Sequence, residues 1–515
     1  MKPNIIYIYA DDLGRGMLSC YGQSKYSTPN IDRIAGEGMR FMRAYGASIC
    51  APARASLLTG QHDAHAGRWT FNRAGIYDHL TRGTLDLDQV YEVVNNTGIR
   101  PRRDGLYLGS ALRDAGYFTG QIGKLEWGFS TSDEEICMHG WMYHYGYYDH
   151  LQCHGYYPPY LFENGKRINI PGNTLGNFGA GAYGSFPEGR VHHDPNGRNV
   201  HSQDLYDARI VEFLKAHSHE PFFLYHPSQL PHGPTYFPDV YPEVASNPDL
   251  NQAEKEFASM VIRLDKTVGV ILAEVERLGL DDRTIILFAS DNGHQLNYEV
   301  DGRSLGDRDL AGNAIDNVTS KFYSDACGDV YDGNDGMAGL KTTNWEGGVR
   351  VPFLVRWPGV VPPGVVSEHL IANYDTLATL AQIAGNPAPA DATDGISYLP
   401  ALEGKSDAPE HDYVVYASQF GPCLVTRDGW KLRLFLNLAE ANSFGLFGVW
   451  LAELGSAVQY QLYYLPDDCR EERNVADQHP DVLVKLRGLL LKECDGNFIH
   501  GTPQAHFAIC NIDSP

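Results

Sequence analysis

Along the chain, short runs that are apolar on both faces alternate with amphipathic stretches. Residues 4–10 read NIIYIYA and stop at Asp11 and Asp12. Such a run predicts a strand buried on both faces, as in a parallel sheet. Similar runs at 117–122, 221–226, 284–290 and 351–356 predict further strands, and 39–45 another. Helical patterning falls at 29–36, 51–59, 106–115, 205–217 and 375–384, with one long amphipathic helix over 251–278. Pro52 sits in a first turn, where a missing N–H costs nothing. Residues 131–189 are rich in Tyr, Gly, His and Pro, which predicts long surface loops able to carry binding groups.

After about residue 405 the pattern changes. Short strands are expected at 413–418, 423–426, 431–435 and 461–465, followed by a closing helix at 481–494. Strand–helix alternation first and clustered strands second predict an α/β domain over 1–405 and a smaller α+β subdomain over 406–515 with a short antiparallel sheet. No internal repeat is visible.

Composition adds limits. Hydrophobic residues make up 43% of the 515 positions and charged residues 20%, the balance of a globular protein with a large core. The net charge of -23 repels phosphate backbones and argues against a nucleic-acid partner. An anionic substrate would need cations gathered locally. The nine cysteines, Cys20, Cys50, Cys137, Cys153, Cys327, Cys423, Cys469, Cys494 and Cys510, contain no CxxC pair, and an odd, unpatterned set fits a reducing compartment. The opening MKPNIIYIYADD lacks the long apolar core of a signal peptide, and no stretch reaches the length of a membrane helix. The expectation is a protein that does not contact a membrane and is cytoplasmic, or periplasmic or secreted if a leader was removed before residue 1. Oligomeric state is not legible.

Ligands in open parallel sheets bind beyond the carboxyl ends of the strands. Asp11 and Asp12 follow the first strand, and Asp291 and Asn292 follow a later one. Carboxylate and amide oxygens suit a hard cation, calcium or magnesium. Read alone, each pair is equally a solvated turn or a helix cap. Cys50-Ala51-Pro52-Ala53-Arg54 opens a helix, whose N-terminus favours negative charge. Cys50 there is either a reactive thiolate or a buried core thiol.

The continuation to Leu58-Thr59-Gly60 gives C-x-P-x-R followed by L-T-G, which closely resembles the type I sulfatase signature. Further positions resemble that family in order: Asp11-Asp12, Gly123-Lys124, Pro231-His232-Gly233-Pro234, Ser290-Asp291-Asn292-Gly293, Lys341 with Glu346 to Pro352, and 462–480 with Tyr463, Asn474 and His479-Pro480. The resemblance covers nearly the whole chain. It implies an alkaline-phosphatase-like fold, with a large mixed, mostly parallel sheet flanked by helices. It also implies that Cys50 is oxidised to formylglycine by a formylglycine-generating enzyme. The metal, Ca2+ or alternatively Mg2+, would be held by Asp11, Asp12, Asp291, Asn292 and residue 50. Of the two hydroxyls of the hydrated aldehyde, one would attack sulfur and the other would let sulfate leave as the aldehyde reforms. Arg54, Lys124 and Lys341 would neutralise sulfate oxygens, and His232 would act as general acid.

Two departures stand out. Many sulfatases carry His two residues after the first lysine, whereas Glu126 stands here. Either Glu126 turns away or another group replaces the histidine. His154 is the candidate stand-in, or an ordinary loop histidine. The polar stretch between Asp291 and Lys341 reads as an extended loop that either shapes substrate choice or is a solvated excursion. Arg68, Trp69 and Asn72 are candidates for substrate hydroxyls, and the aromatic and His residues between Trp141 and Tyr160 for stacking on sugar rings. The expected substrate is a sulfated small molecule or glycan, a carbohydrate before a simple aryl sulfate. The alternatives are a phosphonate monoester or phosphodiester hydrolase of the same superfamily, and a non-catalytic sulfated-glycan-binding protein.

Overall fold

Asn4–Ala10 (β1) lies at the centre of the molecule, with all seven residues buried. The computed structural model describes residues 2–65, 74–97, 105–125, 129–174, 197–235, 237, 240–296, 308–315, 321–438 and 454–502. The further strands, in chain order, are Met39–Phe41 (β2), Ala44–Tyr45 (β3), Phe118–Gly123 (β4), Tyr143–Gly146 (β5), Tyr160–Glu163 (β6), Lys166–Asn169 (β7), Phe222–Pro227 (β8) and Thr284–Ser290 (β9). Then come Phe353–Arg356 (β10), Val365–Ser367 (β11), Ile371–Ala372 (β12), Tyr413–Tyr416 (β13), Cys423–Thr426 (β14), Trp430–Leu438 (β15) and Leu454–Tyr464 (β16).

Ten of them form one mixed sheet in the order β11-β2-β10-β9-β1-β8-β4-β5-β6-β7. The five central strands from β9 to β5 run parallel, and β10 and β6 reverse direction at their flanks. The two faces of β1 and β8 are covered by different helices. Tyr7, Tyr9 and Tyr225 stack on one face, where Arg54 of the Cys50–Thr59 helix lies over the Tyr9 ring. His226, one step out of phase, meets Gln203 of the Ser202–Ala216 helix on the other. Covered on both sides, these strands have no polar face, which is why their sequences do not alternate.

Helix starts follow local chemistry. Asn251 and Glu254 exchange hydrogen bonds at the start of Gln252–Arg277, a capping box. From within that helix, buried Asp265 accepts the backbone N–H groups of Asn30 and Ile31. It thereby caps Pro29–Gly36 from outside.

A four-stranded antiparallel sheet, β13-β14-β15-β16, follows in the C-terminal part. Leu486 and Leu490 of the Pro480–Glu493 helix pack with its Leu424, Leu432, Leu434 and Leu462.

Two expectations need correction. The stretch 39–45 is not one strand: β2 joins the large sheet, and β3 pairs with β12 in a separate two-stranded sheet. The described part of 131–189 is not loop either. It holds the Asp133–Met138 helix and strands β5 to β7 of the main sheet. Its aromatic residues Trp141, Tyr145, Tyr147, Tyr148 and Tyr160 are buried at 3% exposure or less. Trp141 stacks on Phe223 and Tyr225, so it is a core residue and not a platform for sugar rings. Among the described residues no helix is long and apolar enough to cross a membrane, and the eight described cysteines are free thiols.

Candidate active site

The carboxyl ends of β1, β4, β8 and β9 converge beside the N-terminus of the Cys50–Thr59 helix. Asp12, immediately after β1, adopts a left-handed backbone with φ 61°. Aspartate enters that region more readily than most residues, and the turn sends two consecutive carboxylates to one pocket. Asp11 Oδ2 accepts hydrogen bonds from Lys124 and, at 3.2 Å, from Arg54. Asp12 pairs with Lys341 at 2.7 Å and faces His232 Nε2 at 3.5 Å.

Asp291 does two jobs. Its Oδ1 accepts the backbone N–H groups of Asp12 and Asn292, at 3.1 and 2.8 Å. Its Oδ2 receives Arg54 at 3.1 Å. Asn292 donates from Nδ2 to Asp12 Oδ1 at 2.8 Å. The approach to Cys50 is threaded tightly past this point. A Cβ at Gly46 would lie 2.3 Å from the Asp291 carbonyl oxygen, so only glycine fits. Gly123, with φ 145° and the Pro227 carbonyl 2.2 Å from a Cβ position, similarly brings Lys124 across the end of β8. Lys341 is anchored from its own N–H to the His294 carbonyl, and the next residue, Thr342, donates to the Ser48 carbonyl.

Cys50 Sγ and one oxygen each of Asp11 and Asp291 lie within 4.8 Å of one another, as do ligand atoms of Asp11, Asp12 and His232. The oxygens Asp11 Oδ1 and Asn292 Oδ1 are buried with no hydrogen-bond partner. Burial, then the neighbouring Asp11 charge, pushes the Asp291 carboxyl up to about 7. Crowded carboxylates with orphaned, inward oxygens fit a divalent cation with oxygen ligands. Burial also pushes the Cys50 thiol up, against the pull of Lys341 and Lys124.

His232 Nδ1 contacts the Gly233 carbonyl at 2.6 Å, which makes Nδ1 the donor and leaves Nε2 facing Asp12. Burial, with Lys341 adding to it, holds the imidazole down to about 4. The Tyr156 hydroxyl donates to the His232 carbonyl at 2.6 Å and anchors this loop.

His154 does reach the site: its ring stacks on His232 with centroids 4.5 Å apart and planes at 5°. His150, which the sequence grouped with the candidates for stacking on sugar rings, lies edge-on to His154 at 4.7 Å. Burial, then the charge on Lys124, lowers its pKa well below the usual histidine value. The spacing in His150-Leu-Gln-Cys-His154 was the available signal. Arg68, Trp69, Asn72 and Glu126 lie outside the described residues.

Of the segment between Asp291 and Lys341, the described residues 308–315 are largely exposed, with Leu310 at 70%, whereas 321–340 packs against the fold. Phe322 and Tyr331 are buried, and Asn334 Oδ1 accepts the His294 N–H at 2.9 Å. Residues 321–340 are thus a packed wall behind the site.

The sulfatase family model matches residues 3–386. An N-acetylgalactosamine-6-O-sulfatase of Bacteroides thetaiotaomicron is 30% identical, and the match takes in 95% of this chain and 92% of the relative. Human arylsulfatase A is 28% identical over 95% of this chain and 87% of its own. A solved Bacteroides thetaiotaomicron structure, described in connection with the metabolism of multiple glycosaminoglycans, superposes with a TM-score of 0.68 at 26% identity. It covers 96% of this chain and 99% of its own.

Proposed function

The chain belongs to the sulfatase family and is a sulfuric ester hydrolase, and from that premise we propose that it removes sulfate from a 6-O-sulfated amino sugar, using Cys50 converted to formylglycine beside a calcium ion. The sugar class rests on the relatives, several of which are N-acetylgalactosamine-6-sulfatases. The observation that carries the chemistry is the meeting of Cys50 Sγ with Asp11 and Asp291, ringed by Arg54, Lys124 and Lys341.

Asp11, Asp12, Asp291 and Asn292 would hold the ion, with residue 50 beside it. When present, the ion supplies Lewis-acid charge withdrawal and the formylglycine hydrate a hydroxyl nucleophile. Arg54, Lys124 and Lys341 bind and orient the sulfate group and neutralise its oxygens as charge shifts onto them. In the acidic protein as a whole, this knot of three cations is what admits an anion. His232 would pass a proton from Nε2 to the leaving sugar oxygen; with Nδ1–H given to the Gly233 carbonyl, Nε2 must first take that proton up, which the neighbouring Asp12 and Asp11 charges favour. His154, stacked flat against it, fixes the plane of the ring and fills the role left by the absence of histidine at position 126. Residues 1–405 form the catalytic unit, and a formylglycine-generating enzyme is the maturation partner.

The test joins two measurements on protein co-expressed with that maturation enzyme. The mass of the tryptic peptide 44–54 reports whether residue 50 is an aldehyde. Assays on N-acetylgalactosamine 6-sulfate, on an aryl sulfate and on matched phosphate and phosphonate esters report the reaction. Aldehyde with preferred sulfate release from the sugar is the expected result. Preferred phosphonate or phosphodiester turnover would move the chain to the rival chemistry, and an unmodified thiol with tight sugar binding to a binding role.

His232→Ala is expected to lower kcat for the sugar sulfate by about 100- to 10,000-fold. Bound metal, measured by plasma mass spectrometry, should stay unchanged. Turnover of the sugar sulfate at the wild-type rate would remove His232 from its role.

A further inference from the structure

A second cluster lies away from the sulfate site, just past the C-terminal end of the Cys50–Thr59 helix. His62 and His65, one turn apart in sequence, stack with ring centroids 3.8 Å apart and planes at 19°. Both are buried, at 4% and 7% exposure. Asp394 reaches them from a separate loop: its Oδ2 is 3.3 Å from His65 Nε2 and 4.0 Å from His62 Nε2. Glu493, at the end of the C-terminal helix, brings Oε2 to 3.3 Å from His62 Nε2.

We propose that His62, His65, Asp394 and Glu493 form a structural site for a divalent transition metal, zinc being the best fit, that clasps the catalytic helix to the C-terminal helix. One ligand atom each from His62, His65 and Asp394 already lies within 4.8 Å of the others. Charge-assisted contacts between histidine and carboxylate normally close to about 2.7–2.9 Å, and these do not. Two ligands on one tetrahedral zinc, with bonds of about 2.0–2.1 Å, stand about 3.3 Å apart, the spacing of both close pairs here. Two imidazoles with two carboxylates are donors for zinc in preference to calcium, which takes oxygen.

The surroundings suit a closed site. Glu493 Oε1 is held by the Tyr413 hydroxyl at 2.8 Å, which leaves Oε2 for the centre. The Asp394 side chain is 29% exposed, which provides an entry path. Ligation through Nε2 puts the proton of His62 on Nδ1, where the Ala64 N–H now points at 3.3 Å. The cost is that long hydrogen bond, the direct His62 Nε2–Glu493 Oε2 contact and the flat stacking of the two rings, which must splay for both Nε2 lone pairs to meet one ion. His62 and His65 also frame Asp63, whose Oδ1 accepts the Ala417 N–H at 2.6 Å. An ion here would fasten the chain leaving the catalytic helix at two points, the loop at Asp394 and the last helix, beside the bond Asp63 already makes just past β13.

The inference does not depend on the sulfated substrate. Full-length protein is stripped with chelator, returned to buffer with excess calcium, given ZnCl2 and gel-filtered before metal analysis. Wild type is expected to keep about one zinc ion per chain. His65→Gln and Asp394→Asn are each expected to cut retained zinc about tenfold or more. Asp291→Asn, in the sulfate site, is expected to keep it. Cobalt(II) in place of zinc should give the visible absorption of a tetrahedral complex, and zinc should raise the thermal unfolding midpoint of wild type and of Asp291→Asn but not of the two cluster variants. No retained zinc in wild type overturns the proposal, as does zinc lost equally from Asp291→Asn. Should the cluster variants fail to fold, a wild-type midpoint that zinc leaves unmoved overturns it on its own.

Discussion

Cys50→Ala is expected to lose sulfate-ester turnover by at least about 10,000-fold while the protein stays folded. Cys50 is the group that the sheet and the helix jointly aim at Asp11 and Asp291. The three cations around it would bind substrate under the proposed function but supply no electron pair of their own. The change itself is mild. The Cys50–Thr59 helix is buried throughout, alanine is the best helix former, and the deleted atom is a single sulfur. A stability loss of less than about 2 kcal/mol is expected, at the low end for a truncated core side chain. Steady-state sulfate release and a urea unfolding curve, measured on one preparation, check both halves. A folded variant that keeps a tenth of wild-type turnover would falsify the assignment of residue 50 as nucleophile.

Lys431→Met is expected to destabilise the protein by about 3–5 kcal/mol, among the larger effects of any single substitution. Lys431 Nζ lies 3.0 Å from Glu346 Oε1 and 2.8 Å from Glu471 Oε1, and all three side chains are 0% exposed. Methionine keeps the length of the side chain and removes the charge, so two carboxylates remain buried together. Burial already raises the Glu471 pKa against the pull of Lys431, with Glu346 adding to the rise. Loss of the lysine leaves Glu346 with Arg350, 3.5 Å from its Oε2, and leaves Glu471 to find relief in protonation. The damage reaches function as well. Glu346 accepts the Tyr45 hydroxyl at 2.9 Å and opens the short Glu346–Val349 helix, five residues after Lys341. The Gly348 carbonyl there receives the N–H of Gly293, next to Asn292. Urea unfolding with turnover at low temperature separates the two effects. A stability change below about 1 kcal/mol would show that the triad contributes little.

The parts of the fold that were legible in the sequence are those decided locally. β1, β8 and β9 declare themselves because both faces are covered and their central positions are apolar. The Gln252–Arg277 helix declares its start through Asn251 and Glu254. The candidate site was legible because its residues sit at strand ends inside short motifs. What stayed hidden is decided by distant contacts. Tyr147, Tyr156 and Tyr160 read as loop residues, yet their hydroxyls find the Gly155 carbonyl, the Gln229 and His232 carbonyls and Thr81. With the polar tip satisfied, the ring packs as core. Lys431, Glu346 and Glu471 come from separate segments, and no local pattern marks a lysine as the centre of a buried triad. His150 carried only its spacing to His154, which gains meaning once His232 is known to lie against them.

The order in which the sheet is assembled carries a consequence for how the chain is made. β1 finds its neighbours only in β8 and β9, and the pocket that buries Cys50 closes with Asp291. Residue 50 leaves the ribosome about 240 residues ahead of residue 291. At about 5–20 residues per second, that lead lasts roughly 12–48 s. In the finished protein Cys50 is only 4% exposed, so the maturation enzyme of the proposed function would have this interval of synthesis to work in. Synonymous codons that speed or slow translation between Cys50 and Asp291 would then set the fraction of active molecules, without altering a single amino acid.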